Sequence, residues 1–469
     1  VKALVYERVL ARMATARLSA ALRGSGHGAD RGPLRLVEVE PPALPGPSWA
    51  RIRPHLAGIC GSDLATIDSN SSRYFEDLVS FPFVPGHEVV GTIEQAPASS
   101  AAASASASAS ARQSDAAGIT LWQPGDRVVI EPVIGCTPRA IDPPCPACAD
   151  GHNGSCQHVA YGHLAPGLQV GYCADTGGGW SGAGLVAHTS QLHRVPDTFS
   201  DEAAVMVEPT ACAVHGALAG RIEPTDCVAV IGAGTLGLAT VAAIRQLCNP
   251  TTLAVGAKYS HQRTLAGELG ADLVVAPDQL HRTIRRITRS LPIAGRLTPG
   301  AGTAYSTGGA DVVVDCVGSS ASIQSALALV RPRGRIVLVG MPGQVGIDLA
   351  GLWHREICLV GAYAYGSETV DTRTRRTFDI AFDVVAAARL ERLVSARYPL
   401  ERYNEALVHA GAAGRRGAVK IVFDVQARAT RPQSPPSNRP SPSASTTRHA
   451  AQPRAATAPL PSLRKGHVR

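Results

Sequence analysis

The strongest constraint on this chain is an alternation between residues 227 and 362. Six short apolar runs, CVAVIG, TLAVGA, ADLVVA, ADVVVDCVG, GRIVLVG and ICLVGAYA, are separated by helical stretches such as TLGLATVAAIRQL, HQRTLAGELG and SASIQSALALVRP. Nearly continuous Val, Ile and Leu strands with helical crossovers belong to a parallel sheet covered on both faces. The pattern predicts a doubly wound α/β domain of six parallel strands. Its first strand runs into Gly232-Ala-Gly234-Thr-Leu-Gly237, which opens a helix. A lone GxGxxG is weak, but in this strand, turn and helix context it is a dinucleotide fingerprint. The glycines let a pyrophosphate approach the helix N-terminus, where free N–H groups and the helix dipole favour anions.

In NAD-binding units the second strand usually ends in an acid that holds the adenosine ribose. Here it ends Gly256-Ala257-Lys258, with His261 and Arg263 just beyond. The missing carboxylate and the adjacent cation favour NADP(H) over NAD(H); solvated charges at a strand end are the plainer reading.

The flanks, 1 to about 201 and about 363 to 425, are richer in Pro, Gly and short strands. Sixty C-terminal residues could hardly stand alone. The flanks are therefore expected to form one mainly β domain, interrupted by the α/β domain at 202–362. Residues 96 to 117 alternate Ala and Ser and read as a surface-loop insertion. From 426 to 469 a Pro/Ser/Arg-rich tail has too little apolar surface to order itself.

The chain has 469 residues and a formal charge of +8, with 45 Lys and Arg against 37 acids. Eight of those cations lie in the acid-free tail, so the rest is neutral. Together with an aromatic content of only 4%, this argues against nucleic-acid binding. The opening VKALVYERVLARMATARLSAALRG has scattered arginines and no apolar core of signal length. Its Arg-rich character can mimic a transit peptide, but VKALVYE reads as a first strand. The longest uncharged run, 227 to 244, is broken by three glycines, which disfavours a membrane span. Eleven cysteines without a signal point to a reducing compartment, here the cytoplasm, where clustered cysteines bind metal more often than they cross-link. Cys173, Cys212, Cys227, Cys248, Cys316 and Cys358 stand alone and read as small buried hydrophobes.

Cys60 in GICGSD, His87 and Glu88 in VPGHEVVG, and Glu208 in VEPTACAVHG offer the thiolate, imidazole and carboxylate donors that zinc takes, with room for an open position. They lie far apart, so spacing does not establish that they meet. A second cluster is Cys145-x2-Cys148-x7-Cys156, with Cys136 upstream. It sits in a Pro/Gly-rich loop rather than at the strand–helix junction of a redox CxxC. It also lacks the basic residues of a nucleic-acid ribbon.

In this order, GICGSD, GHEVVG, the clustered cysteines, VEP and GAGTLG resemble the zinc-dependent alcohol dehydrogenases of the medium-chain dehydrogenase/reductase superfamily. The resemblance covers nearly all of residues 1 to 425 and is strongest to the branch with threonine and polyol dehydrogenases. It implies a Rossmann domain inserted into a mainly β GroES-like catalytic domain, in a homodimer or homotetramer acting on a small alcohol or aldehyde. Cys60 and His87 match ligands of a catalytic zinc, and Glu88 and Glu208 match carboxylates that bind it directly or through water. Asp63 matches a residue that orients the metal site, and Ser62 the hydroxyl that passes the substrate proton outward. A His is expected five residues after the zinc cysteine; Ala65 stands there, which leaves the outer relay open. Gly232, Gly234, Leu236, Gly237, Lys258, Val317 and Gly340 take the cofactor-binding positions. The structural-zinc lobe, 136 to 156, would use Cys145, Cys148 and Cys156, but Asp142 occupies the usual place of the remaining cysteine. Cys136 is the favoured fourth ligand, because such sites close as thiolate tetrahedra; Asp142 stays open. Tyr74, Phe75 and Trp180 are pocket candidates or packing residues. Two other functions share the fold: a non-catalytic nucleotide-binding redox sensor, and a zinc-independent NADPH quinone or enoyl reductase, which would lack the cysteine lobe.

Overall fold

The computed structural model describes residues 1–98, 121–293, 305–370 and 372–427. The Ala/Ser insertion from residue 99 and the tail from residue 428 lie outside the described residues.

The six apolar runs form one sheet, in the order Leu273–Val275, Thr252–Gly256, Cys227–Ile231, Ala310–Asp315, Val330–Leu338, Cys358–Gly361. Every pairing is parallel. In chain order this is 3-2-1-4-5-6, the doubly wound arrangement whose ligand crevice opens where the order reverses, beside Cys227–Ile231. Alternate side chains serve opposite faces. Val228, Val230, Val312 and Val314 pack with Ala213, Ala217, Leu238 and Val241 of two helices, Val207–Ala219 and Thr235–Leu247. Ala229, Ile231 and Val313 pack on the other side with Leu280, Ile284 and Leu327. Arg331 and Pro332, read as a helix end, belong instead to the strand Val330–Leu338.

A seven-stranded sheet joins the two flanks. Its main path is Val394–Tyr398, Lys420–Asp424, Trp49–Gly58, Val89–Gln95, Arg127–Ile130, Leu192–Arg194, and Leu185–His188 pairs separately with Trp49–Gly58. Lys420–Asp424 runs antiparallel to Trp49–Gly58, with Val422 opposite Gly58. The last described strand is thereby built in beside an early one, which fixes where Lys420 points.

The first strand, Lys2–Tyr6, pairs antiparallel with Leu34–Glu38. Between them lies a helix that the sequence reading did not anticipate, Leu10–Arg23, which buries Ala16 and Ala20. The loop after it is tied to the buried carboxylate of Asp68, which accepts hydrogen bonds from Ser25 Oγ (2.8 Å), Gly26 N (2.9 Å) and Gly28 N (3.0 Å). Among the described residues no helix is long and apolar enough to cross a membrane.

Candidate active site and metal centres

The strand Trp49–Gly58 delivers Cys60 to the N-cap of the helix Gly61–Ile67. Asp63, in the first turn, accepts the Cys60 N–H through Oδ2 at 2.9 Å, so its carboxylate is held back against the start of its own helix. Its Oδ1 accepts the Tyr172 hydroxyl at 3.2 Å and lies 3.4 Å from His87 Nδ1. His87 and Glu88 precede the strand Val89–Gln95, whose pairing with Trp49–Gly58 sets Val89 opposite Ala57. That register brings Cys60, His87 and Glu88 together, one donor atom of each lying within 4.8 Å of the others. His87 is buried and its Nδ1 forms no full hydrogen bond among the described residues. Burial alone would lower its pKa, but the Asp63 carboxylate and the Cys60 sulfur outweigh this and hold it well above the usual imidazole range. Such a set of soft and borderline donors, buried at His87 and Glu88 and half-buried at Cys60, suits zinc.

Glu88 is also paired with Lys420 Nζ, which donates to the Ile59 carbonyl at 3.2 Å. Glu208, in the first turn of Val207–Ala219, stands outside the three-donor group. Its Oε1 accepts the Tyr365 hydroxyl at 3.0 Å, and Cys212 Sγ lies 3.7 Å from it. Burial pushes the Glu208 carboxyl up to about 7; His87 and Tyr365 oppose that shift and Glu88 adds to it. Ser62 is half-buried next to this group, and its carbonyl accepts Thr66 Oγ1 at 2.9 Å. Trp180 is fully buried, donates to the Gly58 carbonyl at 3.1 Å and packs edge-on against Phe423. It is therefore a core residue, and Tyr74 is exposed with Phe75 against its edge.

Lys420, Tyr172, Tyr365 and Cys212 were missed by the sequence reading. Only Lys420 carries a local signal, a lone charge inside the apolar run AVKIVF.

The second cluster closes on itself. Donor atoms of Cys136, Cys145, Cys148 and Cys156 lie within 4.8 Å of one another, and Asp142 is outside the group. The Cys136 and Cys156 sulfurs are 3.7 Å apart. Two sulfurs about 2.3 Å from one tetrahedral zinc lie about 3.8 Å from each other, so the spacing fits the ion. Cys145 caps the short helix Pro146–Ala149, which turns Cys148 back towards it. Backbone N–H groups of Cys145, Gln157 and His158 point at the sulfurs of Cys136, Cys145 and Cys156 at 3.3 to 3.5 Å. Burial pushes the Cys156 thiol up to about 11, whereas at Cys145 hydrogen-bond donors led by the Gln157 N–H outweigh burial and bring the thiol down to about 7. His158 Nδ1, 3.3 Å from Cys136 Sγ, is a further unforeseen neighbour.

At the fingerprint, Gly232 has φ +93°, and a Cβ there would meet Val317 Cγ2 at 2.6 Å. A Cβ on Gly237 would lie 2.1 Å from the Gly232 carbonyl, which is why helix and turn can pack so closely. At Gly234 a Cβ would meet nothing, so that face of the turn is open to a ligand. Leu236 packs against the core. Val317 is half exposed past its strand, with Gly340 packed against its backbone. Lys258 is exposed with Nζ 5.7 Å from the Tyr259 ring, whereas Arg263 is spent on the carbonyls of Ala257 and Lys258. A cleft of about 320 Å³ is lined by Gly234, Thr235 and Tyr259 from the nucleotide half and by Ile59, Gly61 and Leu64 around Cys60.

Two family descriptions match the chain: the alcohol dehydrogenase GroES-like domain over residues 46–197 and the zinc-binding dehydrogenase over 235–379. This chain belongs to the zinc-dependent alcohol dehydrogenases. Relatives of this dehydrogenase include sorbitol dehydrogenase of Gallus gallus, 26% identical over 80% of this chain and 89% of the relative. L-idonate 5-dehydrogenase of Vitis vinifera is 24% identical over 84% and 93%. Such relatives set the dehydrogenase in the polyol-dehydrogenase-like branch of the medium-chain superfamily. Among solved structures, an alcohol dehydrogenase from Thermus sp. ATN1 has a TM-score of 0.60 at 24% identity, covering 90% of this chain and 99% of that one. Galactitol-1-phosphate dehydrogenase from Escherichia coli has 0.62 at 18%, covering 90% and 99%. The dehydrogenase thus has the fold expected of it, a Rossmann sheet with a GroES-like partner.

Proposed function

We propose that this dehydrogenase transfers hydride between a polyol-type secondary alcohol and NADP(H), using a catalytic zinc held by Cys60 and His87 with Glu88 and Glu208 as its carboxylates. The observation that carries this reading is the shared cleft, where the residues flanking Cys60 and the open face at Gly234 line one space. A cofactor at the glycine turn and a metal at Cys60 would lie on either side of the reacting bond, as hydride transfer requires.

Zinc, when bound, supplies the Lewis acidity that lets an alcohol proton leave near neutral pH, and the nicotinamide supplies the hydride acceptor. The chain's own residues do the rest. Asp63 faces the His87 ring at 3.4 Å and is itself fixed by Tyr172 and the Cys60 N–H. Lys420 holds Glu88, and Tyr365 holds Glu208, so that each carboxylate keeps one oxygen engaged beside the donors. Ser62 would take the substrate proton. Cys136, Cys145, Cys148 and Cys156 would hold a structural zinc.

The preference for NADP(H) rests on Lys258 and on the absence of an acid at the end of Thr252–Gly256. The remaining parts of the reading are a catalytic domain of 1–201 and 363–425 around a Rossmann domain of 202–362, a cytoplasmic location, and a homodimer or homotetramer. The open edge strand Cys358–Gly361, with Leu359 and nearby Trp353 exposed, supports self-association. The test is turnover of purified, zinc-loaded protein on primary, secondary, polyol and hydroxy-amino-acid substrates with NAD+ and NADP+ separately. The reading expects NADP+ reduction with a polyol; reduction of NAD+ alone would remove the NADP(H) preference.

A further inference from the structure

The cleft beside the glycine turn contains a feature that neither the fingerprint nor the metal donors use. Part of its lining is the end of the helix Tyr403–Gly411 and the segment after it, where Ala410, Gly411, Ala412, Ala413 and Gly414 offer no side-chain bulk and Arg415 follows. Gly414 sits against Tyr259, so closely that a Cβ would lie 2.3 Å from the ring, which pins this segment to the nucleotide half. Arg415 is exposed and is the only charged residue lining the cleft among the described residues. It makes no hydrogen bond or ion pair among them.

A pyrophosphate at the turn carries two negative charges, whereas a helix N-terminus offers the equivalent of about half a positive charge. Three other cations on this side of the protein are committed or distant. Lys420 is buried on Glu88 and the Ile59 carbonyl, Arg263 is spent on backbone carbonyls, and Lys258 stands at the ribose end of the site. We infer that Arg415 is the counter-cation for the dinucleotide's pyrophosphate, lining the same cleft as Gly234 and Thr235. This rests on the nucleotide-binding reading of the fingerprint. The guanidinium matches phosphate oxygens with two parallel N–H donors, and the small residues before it leave the space the phosphates need.

The experiment is equilibrium binding of NADPH and of NADH, followed by nicotinamide fluorescence, to the full-length zinc-loaded protein and its Arg415→Ala and Arg415→Lys variants. ADP-ribose serves as a competitor. Arg415→Ala is expected to weaken NADPH, NADH and ADP-ribose by the same factor, about tenfold or more, with Arg415→Lys in between and the melting temperature unchanged. Equal binding by wild type and Arg415→Ala would overturn the assignment while leaving the nucleotide site intact. A loss confined to NADPH would also overturn it, because the guanidinium would then serve the 2'-phosphate. A wild-type protein that binds neither nucleotide would overturn the reading of the fingerprint and this inference with it.

Discussion

Lys420 and Glu88 form an ion pair in which each side chain is only 2% exposed, one donor away from Cys60 and His87. The pair exists because Lys420–Asp424 lies beside Trp49–Gly58, and because Gly58 has no side chain: a Cβ there would fall 1.8 Å from Glu88 Oε2. Breaking a buried pair strands a charge and costs about 3 to 5 kcal/mol. Lys420→Met is therefore expected to destabilise the protein by about that amount in denaturant titrations. Glu88→Gln combined with Lys420→Met should cost less than Lys420→Met alone, since no unpaired carboxylate remains.

At the cysteine lobe, Cys136→Ser is expected to remove the structural metal and lower the melting temperature, leaving the metal at Cys60 and His87. Asp142→Ala should change neither. Zinc content per chain, measured by elemental analysis of each variant, checks this; loss of zinc in the Asp142 variant would reverse the ligand assignment.

Glu208 gives the zinc-free protein a definite pH signature. Its folded pKa is raised to about 7 from an ordinary value of 4.5, chiefly by burial. Across that window the folded state binds more protons than the unfolded state, so Glu208's contribution makes stability fall as pH rises. Glu208→Gln should flatten the fall in the stability of the zinc-free protein between about pH 4.5 and pH 7. An unchanged slope would place the titration elsewhere.

Cofactor choice should turn on Lys258. Lys258→Asp restores a carboxylate where an NAD-binding unit has one and repels a 2'-phosphate. The ratio of kcat/KM for NADP+ to that for NAD+ is expected to drop about tenfold or more, the size of one lost charge-assisted contact.

The sequence made the nucleotide half legible because its signals are local. Six apolar runs, their crossovers and the turn at Gly232 each declare themselves within a few residues, and all six runs join one parallel sheet. The candidate metal donors were readable only as a set in order, since Cys60 meets His87 and Glu88 through the pairing of distant strands. Lys420, Tyr172 and Tyr365 could not be placed from sequence, because their roles arise from registers such as Val422 opposite Gly58. For Trp180 the sequence left pocket and packing roles open, and three-dimensional packing puts it in the core. The helix Leu10–Arg23 was overlooked because its arginines drew attention to targeting rather than to a 3.6-residue period.

The most direct test of the central claim is chelation of the purified enzyme, followed in parallel by alcohol-dependent nicotinamide reduction and by NADPH binding. The account predicts that chelation abolishes turnover, that added zinc restores it, that Cys60→Ala is not restored, and that NADPH binding survives throughout. Turnover that persists in the metal-free protein, or in the Cys60→Ala variant, would contradict it.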